Sequence, residues 1–266
     1  MDYGMLPISN AQLTLSLVLI LIAGLVSAFL KLGLLKSLVW GTIRAFAQLM
    51  LIGYTLAYIF EINRLSVIIP IILLMCLIAT IEASKRIDAP GQKLTLLTFS
   101  ALSASTFLVG IIVVTVIIGP EPWYSARVMI PIFGMILGNS MNAVSLALDR
   151  MYSEVRSHAA EVEELLCFGA LPWEAIKIPA RKAIKAGMTP ILNSLMVVGL
   201  VSLPGMMTGQ ILAGADPREA VRYQFVVMVM IAAAVAIGCL IVVGLAYRKM
   251  FTPDDLALTE DMRHSH

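Results

Sequence analysis

The chain has 266 residues, 59% of them hydrophobic and only 14% charged, with a mean hydropathy of +0.91. Soluble domains run at about 45–50% apolar and about 25% charged, so a soluble globular enzyme is excluded, and so is a disordered chain. The net charge of +2 points to no nucleic-acid partner, and the useful information is where the charges fall.

Crossing the hydrocarbon core takes about 20 apolar residues. Seven runs qualify, at 12–30, 37–60, 65–81, 94–119, 128–148, 188–211 and 223–247. They predict an all-α polytopic membrane helix bundle of about seven transmembrane helices. Asp2 and the lack of any Lys or Arg before Lys31 argue against a secretory signal, so the first run reads as a retained span. Arg44 and Gln48 interrupt the second run, and Pro70 sits within the third. Between the fifth and sixth lies the one sizeable hydrophilic segment, 149–187. Residues 1–250 read as a single permease domain containing that segment, and 251–266 as a polar, mobile tail.

Lys and Arg are distributed unevenly. With the N-terminus outside, inner segments hold Lys31, Lys36, Lys85, Arg86, Lys93, Arg150, Arg156, Lys177, Arg181, Lys182, Lys185, Arg248, Lys249 and Arg263, while outer loops hold Arg64, Arg127, Arg218 and Arg222. The positive-inside bias therefore predicts an N-out/C-in topology with 149–187 and the tail in the cytoplasm. Trp123 and Tyr124 fall where an interfacial aromatic belt is expected.

Several chemistries are missing. There is no GxxxxGK[ST] loop to cradle ATP phosphates, no HExxH, no CxxC, no aspartate in any span, and His158, His264 and His266 all lie outside the spans. The chain reads as a non-enzyme that binds no cofactor itself, so any nucleotide hydrolysis must come from a partner.

Residues 154–170 carry Val162, Leu165, Leu166 and Cys167 at helical spacing beside Glu161, Glu163 and Glu164, ending near Gly169. This is an amphipathic helix with a glycine C-cap. It reads either as an interfacial helix on lipid headgroups or as a coupling helix for a cytoplasmic motor. Interfacial helices favour a basic polar face, and the acidic face here favours the protein partner. Ala170, Pro172 and Pro179 follow, then Arg181, Lys182 and Lys185 lead to the sixth run. There Ser202-Leu203-Pro204-Gly205-Met206-Met207 is expected to open the helix, and open backbone at membrane depth lines a path or is buried in protein. Gly205/Gly209 and Gly134/Gly138 form GxxxG pairs, read as helix-packing sites.

Candidates for the path or gate are Arg44, Gln48, Asn139, Asn142, Asn193, Ser202, Pro204, Gly205, Met206, Met207 and Gln210. Buried amides are more often interhelical bonds than ligands, and methionine in a span is more often filler. Glu82, Met141, Met206 and Met207 are weak metal candidates, with Glu82 read foremost as a salt-bridged carboxylate beside Lys85 and Arg86. Arg44 reads as lining a vestibule or snorkelling, and its charge would suit an anionic cargo. His264 and His266 offer two further metal donors in the tail.

The run from Glu161 to Gln224 resembles the FetB-type ABC-transporter permeases, the bacterial iron-export permease family. Glu-Glu-Leu-Leu-Cys-Phe-Gly-Ala (163–170) is similar to the acidic-then-glycine loop by which ABC permeases contact their ATPases. Pro190-Ile-Leu-Asn-Ser, the stretch from Val198 to Gly214 and Ala220-Val-Arg-Tyr-Gln look like the family's own signature. The likeness covers nearly the whole chain, although Pro179 comes earlier than the wider ABC pattern places its proline.

The resemblance implies a multi-pass permease of the bacterial inner membrane. It would work as a homodimer with a pair of cytoplasmic ABC ATPases that hold ATP and Mg. It further implies iron as substrate, export as direction, and a link to oxidative-stress resistance. ATPase coupling would fall to Glu161, Glu163, Glu164, Leu165, Leu166, Gly169, Ala170 and Pro172. Plant relatives in the family are associated with aluminium tolerance and bring in the alternative of a nucleotide-sugar or other organic-anion cargo. A different class of reading is an ATP-independent channel or receptor scaffold.

Overall fold

The computed structural model describes residues 9–87, 94–252, 254 and 257–263. These form eleven α-helices in chain order: α1 (Asn10–Phe29), α2 (Leu35–Ile62), α3 (Leu65–Ser84), α4 (Thr95–Ile112, continued by a π-helical turn to Ile118), α5 (Ala126–Ser157), α6 (Ala159–Cys167), α7 (Pro172–Ala175), α8 (Lys177–Val197), α9 (Gly205–Leu212), α10 (Pro217–Ala246) and α11 (Glu260–Arg263). The protein is a polytopic helical membrane bundle. Six helical segments are long and apolar enough to cross a bilayer: Asn10–Phe29, Leu35–Ile62, Leu65–Ser84, Thr95–Ile118, Ala126–Ser157 and Pro217–Lys249.

The expected sixth span is not among them. Basic residues occupy the first half of α8, and the chain leaves the helix over 198–204 before α9 begins. Gly199 takes a left-handed conformation at φ +82°, which costs a residue without a Cβ little, and its N–H donates to the Ser202 carbonyl at 2.9 Å. Pro204 then serves as the N-cap of α9, where a proline's missing N–H costs nothing. The break is real, but it is made at Gly199, and the Pro-Gly pair starts the next helix.

The core lies among α3, α4, α5, α8 and α10, with Ile68, Ile72, Leu102, Phe133, Ile136, Leu148 and Val242 fully buried. Close approach is set by three glycines. A Cβ on Gly110 would meet the Phe133 ring at 2.7 Å, one on Gly187 would meet the Ala143 carbonyl and Cys239 Sγ at 2.7 Å each, and one on Gly238 would meet Ser105 Oγ at 3.2 Å. The GxxxG pairs do not do this. Gly138, Gly205 and Gly209 have nothing within 4 Å, and Gly134 faces only the flexible tip of Met75 at 3.3 Å. Spacing alone marked those pairs, whereas close packing also needs a helix on that face.

The α1–α2 hairpin meets this core near the C-terminal end of α2, where Ile59 belongs to it. Gly24 and Ser27 are buried in α1 and Ile59 in α2. Leu34 N–H donates to Ser27 Oγ at 3.0 Å and closes the hairpin turn. Toward the rest of the bundle, Asn63 Oδ1 accepts from the Ala126 N–H at 2.9 Å, capping the start of α5. At the other end of α2, Arg44 reaches Glu82 on α3 at 3.3 Å.

Candidate coupling site and translocation path

The candidate coupling segment folds in two pieces. α5 runs unbroken to Ser157, so 154–157 belong to it rather than to the expected helix over 154–170. His158 caps the end of α5 and the start of α6, with φ −118° and ψ 26°. An α5 of 32 residues is about 48 Å long, which exceeds a hydrocarbon core of about 30 Å. α5 is therefore long enough to extend beyond the apolar slab.

The predicted stop at Gly169 is present in detail. Gly169 is at φ +87°, its N–H donates to the Leu166 carbonyl at 2.9 Å, and the Ala170 N–H donates to the Leu165 carbonyl at 3.0 Å. This is the Schellman pairing that satisfies the last carbonyls of a helix. Pro172 opens α7, and Glu174 returns its carboxylate to the Leu171 N–H at 3.0 Å.

On α6, Val162 faces the core, while Glu161, Glu164, Leu165 and Cys167 are exposed. Beyond the cap, Phe168 is 81% exposed, and Leu171 and Trp173 are exposed too. The elbow thus joins acidic side chains to uncovered apolar ones. Beside it, Leu171, Pro172, Trp173, Tyr247, Arg248 and Phe251 line a groove of about 560 Å³. Trp173 packs edge-on against Tyr247 there, with ring centroids 5.3 Å apart.

Behind the elbow sits Glu154, buried on α5. Its carboxylate accepts from Lys182 Nζ on α8 at 2.8 Å and pairs with Arg150, with His158 Nδ1 at 3.8 Å. Two cations around one buried carboxylate satisfy it, and they tie the end of α5 to the start of α8. Glu154 carried no signal at the sequence level, because its main partner is 28 residues away.

The path candidates do not converge on one point. Arg44 and Gln48 lie on the exposed face of α2, Asn193 is exposed on α8, and Ser202 and Gly205 are exposed at the break. Met206 is half-buried and Met207 buried. Gln210 Oε1 is buried with no hydrogen-bond partner. Asn139 donates to the Met135 carbonyl of its own helix at 2.8 Å, and Asn142 accepts from Arg86 at 2.7 Å. The reading of Glu82 as salt-bridged matches its geometry, since its carboxylate accepts from both Arg44 (3.3 Å) and Lys85 (3.2 Å). Among the described residues no group of three or more His, Cys, Asp or Glu could hold a metal ion. Met141 is half-buried on α5. Lys93, His264 and His266 lie outside the described residues.

A family pattern described as an uncharacterised protein family, UPF0014, matches residues 10–251. The chain belongs to that family. It is 36% identical over 244 residues to the probable iron export permease protein FetB of Escherichia coli K12, covering 92% of this chain and 93% of that one. It is 39% identical to the UPF0014 membrane protein YjkA of Bacillus subtilis, over 91% of this chain and 95% of the relative. It is 32% identical to protein ALUMINUM SENSITIVE 3 of Arabidopsis thaliana, over 89% and 85%. No solved structure matches the chain at a significant level. This UPF0014 member is a multi-pass helical membrane protein.

Proposed function

We propose that the chain is the membrane-spanning subunit of an ABC transporter that exports iron or a related metal. It lies N-out/C-in and pairs with a second copy, and a separate cytoplasmic ATPase binds and hydrolyses ATP with Mg. The observation that carries the reading is the α6–α7 elbow. It presents acidic and apolar side chains, Phe168 is left uncovered among the described residues, and it runs directly into α8, whose Lys182 bonds Glu154 at the end of α5. α8 leads directly into the break at 198–204. A push on the elbow is, in this reading, delivered to the irregular backbone at 198–204.

The alternative of an organic-anion cargo rests on the plant relatives and on the charge of Arg44. Arg44 pairs with Glu82 rather than standing free for an anion, although Lys85 shares that carboxylate, and the iron named for the Escherichia coli relative is the cargo of this reading.

The test is transport of ferrous iron into inverted vesicles holding the chain with its ATPase, with and without ATP. Gly169→Leu is the internal check. Gly169 has open space around its Cα, so the variant acts through its φ of +87°, which costs an L side chain about 1–2 kcal/mol. Stimulated hydrolysis and transport should fall together. Full transport by the chain alone, or unchanged coupling in Gly169→Leu, rejects the reading.

A further inference from the structure

The tail reads from sequence as polar and mobile, yet its described part is packed. Met250, Phe251, Leu258 and Met262 are all buried. The Thr252 N–H donates to the Ala257 carbonyl and the Thr259 N–H to the Met250 carbonyl, each at 2.9 Å, so the chain turns back on itself. Phe251 and Leu258 face each other across that turn in an antiparallel bridge. α11 then packs against both α5 and α6. At its end, Arg263 Nε donates to Glu163 Oε1 on α6 at 2.6 Å.

α6 has little else to hold it. Val162 is its one buried residue. It is bounded by His158 at one end and by left-handed Gly169 at the other, two positions where backbone direction changes readily. A nine-residue helix is too short to persist on its own propensity. Its orientation must come from its neighbours, which are α5, α7 and α11.

We infer that the described C-terminal stretches, 250–252 and 257–263, form a clamp that sets the pose of α6, with Arg263 acting through Glu163 and Met262 through the packing of α11 on α5 and α6. This rests on the reading of α6 as the ATPase-coupling helix. Glu163 is then a structural member of the docking platform, held from within the chain, while Glu161 and Glu164 on the same helix remain outward for the partner. Arg263 and Glu163 are both partly exposed, so their bond by itself is a modest one, and the burial of Met262 anchors α11, which packs against both α5 and α6.

The test has two arms, both on the full chain in lipid nanodiscs. The first is hydrogen exchange of the α6 amides, which needs no partner. Met262→Ala should raise exchange over 159–167 at least tenfold, and Arg263→Glu by about two- to fivefold. The charge-reversed pair Glu163→Arg with Arg263→Glu should return it to the wild-type rate. The second arm is hydrolysis by the bound ATPase. Loosening α6 should raise the ATPase concentration needed for half-maximal stimulation and leave the maximal rate nearly unchanged, and the reversed pair should restore it. Wild-type exchange in both single variants, or failure of the reversed pair to rescue, overturns the clamp. A wild-type chain that binds no ATPase overturns the transporter reading instead, whatever the first arm gives.

Discussion

Gly187 sits at a close crossing of three helices, α8, α5 and α10, and replacing it with alanine tests the packing directly. The added Cβ would lie 2.7 Å from the Ala143 carbonyl oxygen on α5, 2.7 Å from Cys239 Sγ on α10 and 3.0 Å from Ala147 Cβ. Ordinary contact begins at 3.4 Å, so α8 must withdraw by about 0.7 Å from two helices at once. Two of the opposing atoms can give little, because one is helix backbone and the other is a short buried side chain. Overpacking of this kind costs about 1–3 kcal/mol, and the better helix propensity of alanine returns about 1 kcal/mol. With rigid opposition the cost sits near the top of its range, for a net loss of about 1–2 kcal/mol. The assay is the fraction of monodisperse protein left after heating in detergent, compared with Gly209→Ala, whose Cβ would meet nothing within 4 Å. Gly187→Ala should lower the midpoint, and Gly209→Ala should hold or raise it. If Gly187→Ala is as stable as the parent, α8 does not sit against α5 and α10 as described.

Three further outcomes are expected. Glu154→Gln removes the buried negative charge shared by Lys182 and Arg150 and turns one of its two acceptor oxygens into an NH2 donor, and should cost about 1–3 kcal/mol; it should be strongly non-additive with Lys182→Met in heated-detergent assays, and simple additivity would show that the two do not interact. Arg44→Met with Glu82→Gln should give a coupling of about 0.2–1 kcal/mol, as for an exposed ion pair, and a coupling of zero would place Arg44 elsewhere on α2. Asn63→Ala removes the acceptor for the Ala126 N–H and puts alanine at φ +39°, for a loss of about 1–2 kcal/mol. It should speed exchange of the first-turn amides of α5, and unchanged exchange there would refute the cap.

Membrane spans, caps and the break were readable because each is written within a few neighbouring residues. A run such as 65–81 is apolar enough to cross whatever packs beside it, and Leu165, Leu166, Gly169 and Ala170 contain their whole Schellman pairing. The sixth run misled for the same reason. Composition registers apolar content, but Gly199 turning left-handed and α8 being half basic are matters of backbone path.

The pairs that assemble the candidate site are of another kind. Glu163 and Arg263 are 100 residues apart, Asn142 and Arg86 are 56, and Arg44 and Glu82 are 38. Helices apolar on every side carry no periodic mark of which face meets which neighbour, so register and partner follow from how side chains interlock in three dimensions. That is why Gly187 rather than a GxxxG glycine makes the close crossing, and why a tail polar in composition buries Met250, Phe251, Leu258 and Met262. Local chemistry wrote the helices and their ends into the chain, while the meeting of distant surfaces chose their contacts.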